Sequence, residues 1–171
     1  HYRDRRQRQM CIRDSQGGAL VHIYTDGSIH LNHGGIEMGQ GLMTKLALVA
    51  SNEFGLNYEN INISSTDTEK VPNTSASAAS ATTDINGAAI VNAINKIKSG
   101  LDEFIYDYFK TNNKIRYENN FVYFDKRKIS FKELINNAYL NRIPLSSSGF
   151  YKTDKINAVS YTHLRAHETC T

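Results

Sequence analysis

A chain of 171 residues with 40% hydrophobic and 10% aromatic content can bury a core, which excludes a disordered polymer and allows one domain or a piece of a larger one. A mean hydropathy of −0.49 and the lack of any run of about 18 apolar residues exclude a membrane-spanning helix. The net charge of +3 comes from Arg3, Arg5, Arg6, Arg8 and Arg13, whereas residues 16–157 are balanced, so a nucleic-acid surface is excluded as well.

Residues 1–15 and 158–171 read as non-native-looking end segments. They resemble translated sequencing-adapter read-through more than a signal or transit peptide. Both cysteines, Cys11 and Cys170, fall in them, leaving residues 16–157 without a thiol for a metal cluster, redox pair or disulfide.

From Ala19 to Thr25 the chain is β-prone, Asp26-Gly27 supplies a tight turn, and Ser28 to Asn32 resumes the alternation, which predicts a hairpin. After the glycine-rich segment 33–41, Leu42, Leu46, Val49, Ala50 and Phe54 recur at helical spacing until Gly55 stops the helix. Asn60 to Ser64 predicts a short strand, and the Ser-, Thr-, Asn- and Ala-rich residues 65–80 an ordered loop or a flexible linker. A long helix follows from near Asp84 to Lys110, its stripe formed by Ile90, Ile94, Ile97, Leu101, Phe104, Ile105 and Tyr108. Gly87 and Gly100 weaken it by roughly 0.5–1 kcal/mol each, so Gly87 is expected to mark a close backbone approach. Residues 114–117 and 121–124 predict a second hairpin about Glu118-Asn119-Asn120. Lys126-Arg127-Lys128 reads as a solvated turn. Ser130 and Glu133 make a capping-box pattern opening a third helix to about Asn141, with Phe131, Leu134, Ile135, Ala138 and Tyr139 as its buried face. Residues 142–153 read as irregular or extended chain, and no internal repeat is present. The predicted fold class is α+β, with two hairpin-like strand pairs and about three helices in a partial two-layer arrangement.

Two segments could carry chemistry. Glycine-rich loops before helices bind anions because exposed N–H groups and the helix start present positive potential. Yet Gly34 and Gly39 are followed by Gln40-Gly41 where a phosphate-binding loop needs Lys and Ser or Thr, and Thr44 stands where a dinucleotide fingerprint needs a third glycine. A sharp, tightly packed turn is the alternative. The second segment, Pro72 to Asp84, brings small residues and hydroxyls to another helix start, or is a linker. Taken together, two helix starts could converge on one anionic ligand. His22, His30 and His33 lack the partners of a metal site and suffice as hairpin histidines. Glu37 is either a general base or, more commonly for such a residue, a surface carboxylate.

Gly-Gly-Ile-Glu-Met-Gly-Gln-Gly-Leu (34–42), Val-Pro-Asn-Thr-Ser-x-x-Ala-Ala-Ser (71–80) and Asp-Ile-Asn-Gly (84–87) together resemble the molybdopterin-binding part of the xanthine dehydrogenase and aldehyde oxidase family, nearest the xanthine dehydrogenase branch. The likeness runs from about Gln16 to Asn157, making residues 16–157 a partial molybdopterin-binding domain. It implies cofactor contacts from Met38, Gly39, Gln40 and Gly41 on one segment and Ala79, Ser80, Ala81 and Thr82 on the other, through amides and side-chain hydrogen bonds, with Gln40 the direct polar contact. It implies no protein ligand to the metal, hydroxylation of a purine or related heterocycle with oxygen from water, and electrons passing through 2Fe-2S clusters to FAD in other domains or subunits. A cytoplasmic homodimer of the full enzyme is implied too.

The sequence also departs from the family. Neither Pro72 nor Pro144 lies in the family's Gly-Glu-Pro-Pro segment with its general-base glutamate, the Phe-Gly-Gly-Lys-Glu motif is missing, and Met43 replaces His or Asn. No catalytic residue is therefore assigned, and the chain is expected to be an inactive internal fragment with a large exposed apolar patch. The alternative reading is a non-enzymatic module for a phosphate-bearing ligand or partner.

Overall fold

The computed structural model describes residues 16–67, 74–75 and 81–153. The end segments and most of 68–80 lie outside them. Strands β1 (Gln16–Ile23) and β2 (Ile29–His33) form the first predicted hairpin, with Val21 opposite Leu31. Gly27 closes its turn at φ 87°, and the Asp26 carboxylate accepts from the Ser28 N–H at 2.8 Å. β3 (Ile61–Ile63) adds to β2 in parallel.

The stretch after Arg142, predicted to be irregular or extended, contains a seven-residue strand, β7 (Ser146–Lys152), paired antiparallel with β1. The order is therefore β3-β2-β1-β7. Three serines and a glycine carry little strand propensity, so pairing with a distant strand decides this element.

Ala19, Val21, Ile23, Ile29 and Leu31 share the buried face of the sheet. On this face lie helices α1 (Leu42–Phe54) and α2 (Thr82–Phe109). Leu42, Leu46, Ala50 and Phe54 meet Ile90, Ile94, Ile97 and Leu101 in one core. Gly55 ends α1 at φ 62°, and the Leu56 N–H returns to Ser51 O at 3.0 Å, as the predicted glycine stop requires.

The close approach expected at Gly87 occurs elsewhere. Among the described residues, a Cβ at Gly87 would meet only Leu46 Cδ2, at an ordinary 3.8 Å. At Gly149 on β7 a Cβ would strike Ala89 O and come within 2.6 Å of Ala93 N, so the α2 backbone rests directly on the strand there.

Beyond the C-terminal end of α1 a second sheet, β4 (Arg116–Glu118), β5 (Phe121–Phe124) and β6 (Arg127–Ser130), packs with helix α3 (Phe131–Leu140). Asn119 and Asn120 take φ 52° and 65°, the left-handed pair that a two-residue hairpin turn demands. The predicted solvated turn at Lys126-Arg127-Lys128 is only partly a turn. Asp125 and Lys126 bend the chain, while Arg127 and Lys128 belong to β6 with exposed side chains. The Ser130 hydroxyl caps α3 by accepting from the Glu133 N–H at 3.2 Å.

Tyr139 and Tyr108, both expected to be buried, are more than half exposed. Tyr108 lies outside the α2 stripe and instead stacks on Phe104 with ring centroids 5.1 Å apart. Phe54 meets Phe131 edge-on, and Asn120 N–H donates to Gly55 O at 2.8 Å, which fixes the small sheet to the main core. Tyr117 donates to Asp102 Oδ1 at 2.7 Å, tying β4 to α2, and burial pushes both the phenol and the carboxyl upward in pKa.

The fold is thus α+β, with three α-helices, a four-stranded sheet and a three-stranded sheet among the described residues. The outer face of the larger sheet leaves Leu20 and Phe150 over two-fifths exposed. No described helix is long and apolar enough to cross a membrane.

Candidate functional site

Helices α1 and α2 run side by side in the same sense. Leu46 faces Gly87, and further along Glu53 pairs with Lys98 at 3.8 Å. Both positive helix ends therefore lie at one end of the molecule. Gly35 is wedged between them: a Cβ there would approach Leu42 Cδ2 to 2.7 Å, Thr82 Cγ2 to 2.8 Å and Asn86 Nδ2 to 3.1 Å. The start of α1 and the start of α2, forty residues apart in sequence, thus meet across a single glycine. Thr66 holds this junction from the β3 side, its hydroxyl bonding to Gly35 O at 2.9 Å and His33 O at 3.2 Å.

The segment leading into α1 folds around Glu37. Its Oε1 accepts from the Gly39 N–H at 2.8 Å and the Gly41 N–H at 3.0 Å, and its Oε2 from the Met43 N–H at 3.1 Å. Gly39 and Gly41 adopt φ 95° and 73°, conformations that let the amides turn toward one carboxylate. Those bonds, the one from Met43 foremost, hold the carboxyl of Glu37 below its ordinary pKa, so it stays ionised and is a poor general base. Gln40 braces the other side, accepting from the Met38 N–H at 2.6 Å and donating to Ile36 O at 2.8 Å. Met38, at 72% exposed, stands out from the loop.

His33 is fully buried beneath the loop. Its Nδ1 accepts from the Gly35 N–H at 3.1 Å, which assigns the proton to Nε2, 3.2 Å from Met43 Sδ. Met43 therefore packs on His33. Burial lowers the His33 pKa from 6.5, outweighing the opposing pull of Glu37. The unfolded chain accordingly takes up this proton first as pH falls. The stability due to neutral His33 is complete above pH 6.5 and declines as pH drops from there toward the lower folded value. Protection factors of the 33–43 amides, in which the intrinsic pH dependence of exchange is divided out, are expected to fall across that window and to lose this dependence in His33→Gln.

The three histidines do not converge. His22 and His30 are register partners on the outer face of the sheet, beside Tyr24, whereas His33 points inward. Among the described residues no three His, Cys, Asp or Glu side chains gather as a metal site would need. Asn86, buried in the second turn of α2, donates to Thr82 O at 2.9 Å, and its Oδ1 has no partner among the described residues. An open cleft beside Thr25, Asp26 and Lys132 lies at the opposite end of β2 from the glycine loop.

Of the predicted site residues, Met38, Gly39, Gln40 and Gly41 form the loop, and Ala81 and Thr82 stand at the start of α2, where Thr82 approaches Gly35. Ala79 and Ser80 lie outside the described residues. The supporting parts played by Glu37, Thr66, His33 and Asn86 were not read from sequence. The alternation Ile29-Leu31-His33 carries the signal for His33, since it puts that ring on the buried face. A glutamate two and four residues before glycines at a helix start is the signal for Glu37.

Comparison with known proteins identifies the family. A family model for the molybdopterin cofactor-binding domain matches residues 7–169. The chain belongs to this family. It is 43% identical over 145 residues to the xanthine dehydrogenase of Blastobotrys adeninivorans, covering 85% of this chain and 9% of that protein. It is 44% identical over 142 residues to the xanthine dehydrogenase/oxidase of Felis catus, covering 83% and 9%. The chain thus spans about a tenth of the length of these curated relatives.

The molybdopterin-binding fold also matches solved structures. Quinoline 2-oxidoreductase from Pseudomonas putida 86 superposes with a TM-score of 0.69 at 18% identity, covering 82% of this chain and 19% of that one. Reconstituted CO dehydrogenase from Oligotropha carboxidovorans gives 0.68 at 17%, covering 90% and 23%.

Proposed function

We propose that this chain belongs to a xanthine dehydrogenase-like molybdenum hydroxylase and holds its molybdopterin between the 38–41 loop and the start of α2. The observation that carries the reading is the contact of Gly35 with both Leu42 and Thr82, which draws the two segments to one place. The residues present suit the cofactor. Beyond its bonds to Met38 N–H and Ile36 O, the Gln40 carboxamide keeps a second N–H and a second oxygen lone pair, a donor and an acceptor side by side that suit a pterin edge. Ala81 provides no capping side chain to α2, so the amides of its first turn and the hydroxyls of Thr82 and Thr83 suit the pterin phosphate. The start of α1 serves less well for an anion, because Glu37 already engages the Gly39, Gly41 and Met43 amides. Met38, Gly39 and Gly41 shape the loop, and Ala81 and Thr82 stand at the start of α2, while Ala79 and Ser80, the remaining proposed contacts, lie outside the described residues.

When bound, the cofactor supplies the redox-active molybdenum and its sulfur ligands. This chain's share is to bind and orient it. In this reading the whole protein is a cytoplasmic, homodimeric oxidoreductase hydroxylating a purine or related heterocycle, with water as oxygen source. Its 2Fe-2S clusters and FAD are carried by other domains or subunits. The similarity to xanthine dehydrogenases supports the purine class.

The test is the pterin content of the purified whole protein, measured by fluorescence after oxidative release. Gln40→Ala and Thr82→Val are each expected to lower it by about tenfold, the scale of one lost hydrogen bond to a buried polar ligand. Unchanged content in both variants overturns the assignment.

A further inference from the structure

We infer that Glu37 is a positioning residue for the cofactor: its carboxylate is an internal anion on which the loop closes, presenting Met38 and Gln40 to the pterin. The inference rests on the cofactor reading above.

Among the described residues, packing does not order this loop: a Cβ at Gly39 or Gly41 would meet none of their atoms within 4 Å, and Met38 is largely exposed. An exposed, glycine-bearing segment of this kind would ordinarily sample many conformations. Glu37 restricts it through three N–H bonds from residues spread over five positions, at 2.8, 3.0 and 3.1 Å. Such bonds to an ionised oxygen are stronger than neutral ones. The Gln40 bonds to Met38 and Ile36 then set the outward edge of the loop. A ligand meeting a preformed edge is spared the ordering entropy, which raises its affinity without any direct contact to Glu37.

The experiment compares wild type with Glu37→Gln in the whole protein. The carboxamide keeps the shape of the side chain but turns an NH2 group against at least one of the three amides. In cofactor-stripped protein, exchange of the 38–43 amides is expected to rise about tenfold while the interior of α2 is unaffected. Pterin retained after dialysis should fall by a similar factor of about ten. Glu37→Asp, which keeps the charge on a shorter arm, should be intermediate in both measurements. A purely structural role would loosen the loop and leave pterin retention as in wild type, and that result overturns the inference.

Wild-type exchange in Glu37→Gln overturns it equally. If Glu37→Gln is recovered unfolded, Glu37→Asp decides by the same two measurements. Should Gln40→Ala lose pterin while Glu37→Gln does not, this inference alone falls. Should Glu37→Gln, Gln40→Ala and Thr82→Val all keep it, the cofactor reading falls too.

Discussion

Gly149→Ala is expected to detach α2 from β7 and to destabilise the fold strongly. The new Cβ would overlap Ala89 O and lie 2.6 Å from Ala93 N. Both are backbone atoms in the middle of a 28-residue helix, so neither can rotate away as a side-chain tip would. Relief requires moving α2 off the sheet, which also separates Ala89 and Ala93 from the core. Overpacking of a rigid contact costs about 3 kcal/mol, corresponding to roughly a hundredfold faster hydrogen exchange of the α2 amides between Ala89 and Leu101. Gly100→Ala in the same helix is the control, since a Cβ there would meet nothing within 4 Å among the described residues. It should leave exchange unchanged or slow it slightly. Equal exchange in Gly149→Ala and wild type would contradict the helix-on-strand packing itself.

Gly35→Val is expected to cost cofactor rather than fold. Its Cβ would press on Leu42 Cδ2 at 2.7 Å, Thr82 Cγ2 at 2.8 Å and Asn86 Nδ2 at 3.1 Å, and the two γ-methyls extend the clash. These neighbours are side chains at helix ends, so the strain is met by parting the starts of α1 and α2. The α1 and α2 interiors lie further down and remain packed through Leu46, Ala50, Ile90 and Ile94. A cofactor that bridges the two starts loses one side of its site. Pterin content of the whole protein should then fall by about tenfold or more, as misplacement of roughly an ångström does at positioned sites. Protection of the α2 interior should hold. Full pterin content in a folded Gly35→Val protein would show that the cofactor does not span this junction.

The readable parts of the site were those fixed by local chemistry. Gly-x-Glu-Met-Gly-Gln-Gly before an apolar 3.6-residue pattern marks a loop entering a helix, and Gly27, Gly55 and Ser130 sit where turn and cap geometry require them. The function of Glu37 was not readable, because its three partners become neighbours only when Gly39 and Gly41 both take positive φ. A lone glutamate among glycines could as well have been a free surface charge. The role of Gly149 was hidden for the opposite reason, being set by a helix some sixty residues away in the chain.

By itself the sequence determined the three helices, both hairpins, the α+β class and, through three ordered motifs, the resemblance to molybdopterin-binding proteins. Those features depend on periodicity, turn residues and residue types that act within a few positions of one another. Tertiary structure alone decided that β7 pairs with β1, that Arg127–Ser130 is a strand, that Tyr108 and Tyr139 face solvent and that Gly35 joins two helix starts. Each of these depends on which distant surface a segment meets, and pairing and burial between remote segments override local propensity.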